Sequence, residues 1–215
     1  MIFRDRADAG RRLAACLAHH GGDPSLLVLG LPRGGVPVAA EVANALGAPL
    51  DVYVVRKLGV PDQRELAMGA IGSGGVRVMN DTVVRASGVA PEAIEEVIRE
   101  EERELERREA ILRGERPPPE VEGRTIVLVD DGIATGSTMR AAISALQARG
   151  ARKVVVAVPI AAAETCAELA EEVDEVVCAA TPDPVRAISL WYEDFEQTTD
   201  AEVRQLVERA AATEP

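Results

Sequence analysis

VLVDDGIATGSTMRAA, residues 127–142, begins with the residues of a buried strand and ends with those of a helix. A short continuous apolar run of this kind is typical of a strand covered on both faces. The small and hydroxyl residues between strand and helix can fold around an anion, with backbone N–H groups and the dipole of the following helix directed at it. The carboxylates of Asp130 and Asp131 could accept hydrogen bonds from vicinal hydroxyls or organise a hydrated Mg²⁺.

Three interpretations of this stretch differ in the ligand they require. A nucleoside triphosphate site of the P-loop kind is excluded, because the spacing G-x-x-x-x-G-K-[ST] is absent. A strand joined to an N-capped helix is a purely structural alternative, but it gives no role to the two acids or to the further small and hydroxyl residues. A ribose 5-phosphate offers hydroxyls to the acids and a phosphate to the turn.

The segments around this stretch predict an α/β fold. We predict strands at 26–31, 51–58, 126–131, 154–160 and 175–180, and helices at 5–20, 36–47, 137–149 and 163–172. This alternation favours a doubly wound, mainly parallel sheet, in which ligands bind beyond the carboxyl ends of the strands. The loops PRGG (32–35), RKLG (56–59) and DDGIATGST (130–138) should therefore meet at one edge of the sheet.

Composition and charge limit the function classes. At 215 residues, 47% of them hydrophobic and 28% charged, the chain suits one globular domain. The formal charge of −12 argues against general nucleic-acid binding. We find no signal peptide and no apolar run long enough to span a bilayer, and we therefore expect a cytoplasmic protein without a membrane partner.

Cysteines and histidines show no metal-type spacing. We expect Cys16, Cys166 and Cys178 to be small buried hydrophobic residues in a reducing compartment. His19 and His20 are the only histidines and lie at a predicted helix end, so a zinc site or a histidine-based triad is not expected.

Two segments interrupt the α/β pattern. Residues 59–75 are rich in glycine and charge and are interpreted as a mobile segment with a strand in AMGAIG, and VRVMN (76–80) after it predicts another short strand. Residues 91–116 predict a helix with i,i+4 Glu–Arg pairs and a narrow apolar stripe. That helix could be solvated and rest on the domain, or it could form a contact in a homodimer or a lid.

The apolar run, paired acids, small loop and T-G-S-T at 126–138 resemble the phosphoribosyl-pyrophosphate (PRPP) motif of type I phosphoribosyltransferases. The resemblance covers residues 25–180 without the insert at 81–120, and the whole pattern is most similar to a poorly characterised group of this family. It implies one domain over 1–215, a Rossmann-like core, a small hood formed by residues 1–24 and 181–198, and Mg²⁺-dependent transfer of phosphoribose from PRPP to a nitrogen nucleophile.

The resemblance also assigns residues to roles. The 5-phosphate would bind at Gly132, Ile133, Ala134, Thr135, Gly136, Ser137 and Thr138, and Mg²⁺ would be held mainly through PRPP and water near Asp130 and Asp131. Pyrophosphate would bind at Pro32, Arg33, Gly34, Gly35, Arg56 and Lys57. Catalysis would rest on Arg33, Arg56, Lys57, Asp130 and Asp131. In this family the first loop often contains a non-proline cis peptide, which here would join Pro32 to Arg33.

Arg56 and Lys57 resemble the R-K element of adenine-type members, followed by a loop that closes over PRPP, with Arg64 and Glu65 as its functional side chains. Hypoxanthine–guanine-type members have an aspartate where this chain has Ala134, which argues against a 6-oxopurine acceptor.

An acceptor base could contact Arg186, Trp191 or Tyr192 in the hood, although these aromatic residues could equally anchor the C-terminal helix. Two alternatives to a phosphoribosyltransferase remain. One is a regulatory protein that binds PRPP or a nucleotide without turnover, and the other is a phosphate-ester hydrolase with Asp130 as nucleophile.

Overall fold

A computed structural model describes residues 2–212 of the chain. The strands in this range are β1 (Leu26–Gly30), β2 (Leu50–Val52), β3 (Val55–Val60), β4 (Gln63–Gly72), β5 (Val76–Met79), β6 (Thr125–Val129), β7 (Lys153–Ile160) and β8 (Glu175–Ala180). The helices are α1 (Arg6–Cys16), α2 (Gly35–Leu46), α3 (Asp81–Ser87), α4 (Pro91–Arg113), α5 (Ser137–Ala148), α6 (Ala163–Ala170) and α7 (Asp200–Ala211). Short 3₁₀ turns cover Ala18–His20 and Ile188–Trp191.

A five-stranded parallel sheet in the order β2-β1-β6-β7-β8 forms the centre. Its strands are covered on both faces, because alternate residues of each strand pack against different helices. Leu128 and its neighbours pack with α5, whereas Val127 and its neighbours pack with α1 and α2. The predicted α/β class with a mainly parallel, doubly wound sheet is confirmed.

The segment predicted as one strand at 51–58 is two strands, so that prediction was wrong. β2 ends at Val52 in the parallel sheet, and the chain then enters β3 of a separate antiparallel sheet, β3-β4-β5. Tyr53 and Val54 lie between them and are buried, which makes the apolar pattern continuous across the break. Apolar periodicity alone therefore could not reveal it.

Residues 59–75 agree with the prediction only in part. The strands predicted in AMGAIG and VRVMN are confirmed as parts of β4 and β5. However, β4 begins earlier, at Gln63, so most of the segment is a strand paired with β3, through a register irregular at Gly59, rather than a loop. Its apolar half, containing Met68 and Ile71, is buried in a hydrophobic cluster that also includes residues of α4 and α7. The charged half at 63–66 is exposed and forms the end of a β-hairpin.

The helix expected at 91–116 spans Pro91–Arg113 and begins with proline in its first turn. Ile98, Leu105 and Leu112 are buried, so one face of α4 rests on the antiparallel sheet and α7. Its last turn is fixed by Arg113, whose Nη2 donates to Asp51 Oδ2 at 2.8 Å and to the Pro117 carbonyl.

The expectation for the cysteines was wrong. Cys16 is an exposed free thiol at the end of α1, and Cys166 of α6 is joined to Cys178 of β8 by a disulfide. The two partners lie in a helix and a strand that pack together, which their spacing did not indicate. Among residues 2–212, no helix is long and apolar enough to cross a membrane.

Candidate active site

The turn between β6 and α5 encloses a small cavity. This cavity of about 190 Å³ is lined by Asp130 and by every residue from Gly132 to Met139. Gly136 has φ +73°, a conformation in which glycine is favoured, and α5 begins at the next residue. The side chains of Thr135, Ser137 and Thr138 are exposed, as a ligand-binding turn requires. The first N–H groups of α5 have no partner within the helix, so the cavity suits an anion.

Asp130 and Asp131 are half-buried at the carboxyl end of β6. Asp130 Oδ1 accepts a hydrogen bond from the Asp131 N–H at 2.9 Å, and Asp131 Oδ2 accepts one from Arg6 Nε at 2.8 Å. Burial and the neighbouring Asp131 carboxylate raise the pKa of Asp130 to about 8. Burial also raises the pKa of Asp131, and the hydrogen bond from Arg6 opposes that change. Arg6 is the one side-chain cation hydrogen-bonded to the pair among the described residues, so the folded state favours the protonated form of Asp130 relative to a solvated aspartate.

The PRGG loop lies directly against this acid pair. A Cβ atom at Gly34 would overlap Asp131 Oδ2, and one at Gly35 would lie 2.6 Å from the Val129 carbonyl oxygen. The Leu31 N–H donates to the same Val129 carbonyl at 2.8 Å. Only glycine permits this approach, and the peptide bond between Pro32 and Arg33 is cis, as the resemblance predicted.

The N-terminal and C-terminal segments meet over Asp131. The Tyr192 hydroxyl donates to the Asp131 carbonyl at 2.6 Å, and the Arg6 guanidinium lies 4.0 Å from the centre of the Phe195 ring. Arg6 was not among the predicted site residues. No local pattern indicates Arg6, because its contact with Asp131 spans 125 residues of sequence.

The predicted cationic residues differ in their surroundings. Arg33 is 4.0 Å from Asp200 of α7. Arg56 Nε donates to Glu101 of α4 at 2.7 Å. Both residues line a cleft of about 430 Å³, and Lys57 lines it as well. Lys57 in addition lines a second cleft, of about 540 Å³, together with Ser137 of the turn between β6 and α5. Among Arg33, Arg56 and Lys57, it is thus Lys57 that lines a cleft together with a residue of that turn.

Arg64 and Glu65 lie on β4 near the end of the hairpin rather than in an irregular loop. Both line the 430 Å³ cleft, and the fully exposed Glu65 carboxylate is 3.9 Å from Lys57 Nζ. The two residues therefore lie beside the R-K element, on a strand.

Comparisons with known proteins agree with this geometry. The sequence profile of the phosphoribosyl transferase domain matches residues 2–190. The chain belongs to the phosphoribosyltransferase family. Two Mycobacterium tuberculosis proteins, from strains CDC 1551 and H37Rv, carry the provisional name phosphoribosyl transferase and are 53% identical over 209 residues, which is 97% of this chain. The match covers 47% of each relative, so the chain spans about half of their length.

A solved structure shares nearly the whole fold. The crystal structure of a Thermus thermophilus protein is 42% identical and superposes with a TM-score of 0.88, covering 97% of this chain and 99% of the other. The insert helices and α7 lie within a chain that matches end to end, and they are therefore part of a shared architecture.

The predicted acceptor residues of this family member are not equivalent. Tyr192 is 6% exposed and packs between Phe3 and Phe195, with ring centroids 5.6 and 4.9 Å away. This packing favours the alternative in which Tyr192 anchors the C-terminal segment over a role in stacking on a base. Trp191 is half-buried and Arg186 is exposed.

Ala134 lies exposed in the phosphate turn and supplies no carboxylate there. Behind the turn, Ile188 contacts the backbone of Gly132 so closely that a Cβ at Gly132 would be 2.6 Å from Ile188 Cγ2. The hood thus touches the turn through an apolar residue.

Proposed function

We propose that this chain is a Mg²⁺-dependent phosphoribosyltransferase that transfers the 5-phosphoribosyl group of PRPP to a nucleobase or related nitrogen nucleophile and releases pyrophosphate. The observation that carries the proposal is the packing of the Gly34–Gly35 backbone against Asp130 and Asp131. It joins a candidate pyrophosphate loop to a phosphate turn at the carboxyl ends of the neighbouring strands β1 and β6. PRPP presents a pyrophosphate, two ribose hydroxyls and a 5-phosphate in the same succession.

The acid pair fits a divalent cation. Mg²⁺ prefers oxygen ligands and is usually held by one or two carboxylates together with water and substrate phosphates. Asp130 Oδ2 and Asp131 Oδ1 have no side-chain donor among the described residues, and the raised pKa of Asp130 reflects a site that is short of positive charge. When bound, the ion would neutralise charge on the pyrophosphate leaving group.

The chain's own residues would bind and orient PRPP and stabilise departing charge. As the bond from C1 to the pyrophosphate oxygen breaks and the bond to nitrogen forms, positive charge develops on the ribose and negative charge on the leaving group. Lys57 and Ser137 line the same cleft. This position supports a role for the Lys57 ammonium in stabilising the negative charge of the leaving group. Arg56 would act in the same way after exchanging Glu101 for pyrophosphate.

Acceptor choice is proposed to lie with the hood. The absence of an acid at Ala134 argues against a 6-oxopurine, and it leaves Trp191 and Arg186 as the contacts to examine. The indole N–H and the guanidinium of these residues would hydrogen-bond an acceptor, and the indole could stack on it.

A screen for pyrophosphate release tests the proposal. The chain is incubated with PRPP and Mg²⁺ and with adenine, guanine, hypoxanthine, xanthine, uracil, orotate or simple amines in turn. We expect release with at least one acceptor and its loss in Asp130→Asn/Asp131→Asn. The control variant Glu171→Gln, which changes an exposed acid at the end of α6, should keep the activity.

Three outcomes argue against the proposal. Tight PRPP binding without turnover would favour the regulatory alternative, and release of inorganic phosphate would favour a hydrolase. Full PRPP affinity in the double variant would mean that the acid pair is not the PRPP site.

A further inference from the structure

The amino end of the parallel sheet carries a cluster of two histidines and one glutamate. His19 Nε2 lies 2.9 Å from Glu175 Oε1, and His20 Nε2 lies 3.0 Å from Glu175 Oε2. One ligand-type atom from each residue falls within 4.8 Å of the others. Sequence spacing did not indicate a zinc site, and it could not reveal this cluster, because Glu175 is 155 residues from His20.

The fold positions the three residues firmly. Both histidines belong to the 3₁₀ turn after α1, and the His20 N–H donates to the Leu17 carbonyl at 2.9 Å. Glu175 is the first residue of β8. The cluster thus lies at the amino ends of the strands, whereas the acid pair lies beyond the carboxyl end of β6, at the opposite edge of the sheet. The proposed reaction makes no use of the cluster.

We propose that His19, His20 and Glu175 bind one divalent cation of the Zn²⁺ class. Two imidazole nitrogens and a carboxylate oxygen are a ligand set that zinc accepts, with a fourth position open to water. In tetrahedral zinc sites with metal–ligand bonds of about 2.0–2.2 Å, ligand atoms lie roughly 3.3–3.6 Å apart. His19 Nε2 and Glu175 Oε1 are slightly closer than that, and the ligand-type atoms of all three residues lie within 4.8 Å of one another, so side-chain rotations would admit the ion.

The contact of Lys153 with Glu175 leaves room for a metal ion on the other carboxylate oxygen. The Lys153 Nζ lies 3.1 Å from Glu175 Oε2, and it can stay there while Oε1 binds the metal. Outer partners of this kind commonly orient ligating carboxylates. Metal binding at each Nε2 requires that nitrogen to be unprotonated, so each neutral imidazole would carry its proton at Nδ1.

Calorimetric titration of Zn²⁺ into the full, tag-free chain after chelator treatment tests the proposal. We expect one saturable equivalent and a rise in Tm with free Zn²⁺, because the ion binds only the folded cluster. His19→Ala and Glu175→Gln should each weaken binding more than about 100-fold, beyond the 10–100-fold typical of outer partners. His19 has 57% of its side chain exposed, so its removal should leave the metal-free Tm unchanged.

Matched variants locate the ion. Cys16→Ser removes the exposed thiol, Glu171→Gln removes a surface acid outside the cluster, and Asp130→Asn/Asp131→Asn removes the other acid pair; all three should keep the equivalent. Co²⁺ should show tetrahedral absorption that His19→Ala abolishes.

The proposal is overturned if no saturable binding occurs, or if His19→Ala and Glu175→Gln both retain it. If a control variant loses Zn²⁺ binding and His19→Ala keeps it, the ion binds at another site and the proposal is also overturned. If either His19→Ala or Glu175→Gln lowers the Tm of the metal-free chain, zinc binding by the other variant decides whether the cluster holds the ion.

Discussion

A single carboxyl group, that of Asp130, gives the ligand-free chain an expected pH dependence of stability. Its pKa is raised to about 8 by burial and by Asp131, whereas an unfolded aspartate has a pKa of about 3.9. Between these values the folded state binds more protons than the unfolded state, so the free energy of unfolding falls as pH rises through this window. Asp130→Asn should flatten that decline. Urea unfolding at pH 5, 7 and 9 measures it, and equal slopes for both proteins would contradict the prediction.

Gly34 tests the contact that carries the proposed function. In Gly34→Ala the new methyl group would overlap Asp131 Oδ2, so either the loop or the acid pair must move. We expect PRPP affinity to fall more than about tenfold and stability to fall by about 1–3 kcal/mol. Gly21→Ala is the matched control, because its nearest neighbour would be 3.3 Å away and its φ is negative. Calorimetry with PRPP and a thermal melt report both quantities, and unchanged affinity in Gly34→Ala would remove the argument from packing.

At the scale of elements, two similar Arg–Glu ion pairs join the antiparallel sheet to α4. Arg56 pairs with Glu101 at 2.7 Å, and Arg77 of β5 pairs with Glu102 through Nε at 2.8 Å. Only Arg56 belongs to the proposed site. Arg56→Ala should therefore lower kcat/KM by about 10²–10³, as loss of one charge-stabilising donor does, while Arg77→Ala stays within about twofold.

Glu101→Gln separates catalysis from anchoring. This variant breaks the ion pair but keeps the Arg56 guanidinium, so activity should be retained or increased. Equal losses in Arg56→Ala and Glu101→Gln would show that the pair serves only to hold the hairpin on α4.

The end of α4 depends on one buried cation. The Arg113 side chain is 2% exposed and binds Asp51. Arg113→Ala would leave a buried acid with less compensation and should cost roughly 3–5 kcal/mol. Arg107, 57% exposed and paired with Glu104 within the same helix, is the control, and Arg107→Ala should change the free energy of unfolding by less than about 1 kcal/mol. Urea unfolding compares them; similar small effects would mean that water compensates Arg113.

At the scale of the whole molecule, the parallel sheet and its flanking helices could be predicted because their signals are local. The run at 126–129 and the periodicity of α5 are readable in any short window. The split at Tyr53 could not be predicted, since burial there continues from one sheet to the other.

The proposed site divides in the same way. The acids, the turn and PRGG follow from motifs, and the cis bond follows from the resemblance. Arg6 on Asp131 and the partnership of Arg56 with Glu101 arise only from tertiary packing, so no spacing rule could indicate them.

The helix α7 offers a test of whether the chain unfolds as one domain. It lies beyond the matched residues 2–190, yet it contacts α2, β2 and α4, and Val203 and Val207 are completely buried. Because α7 touches both the core and the insert, removing its apolar contacts should lower the stability of both together. Val207→Ala should cost about 2 kcal/mol, whereas Arg204→Ala on the exposed face should cost less than about 0.5 kcal/mol.

Two probes follow that transition. Fluorescence of Trp191, the only tryptophan, reports the hood, and far-ultraviolet circular dichroism reports the helices, of which α4 is the longest described. With one cooperative domain, the two urea curves coincide in the wild type and shift by the same midpoint in Val207→Ala. If circular dichroism shifts while the fluorescence curve stays in place, α4 and α7 unfold apart from the parallel core, and the single-domain prediction is wrong.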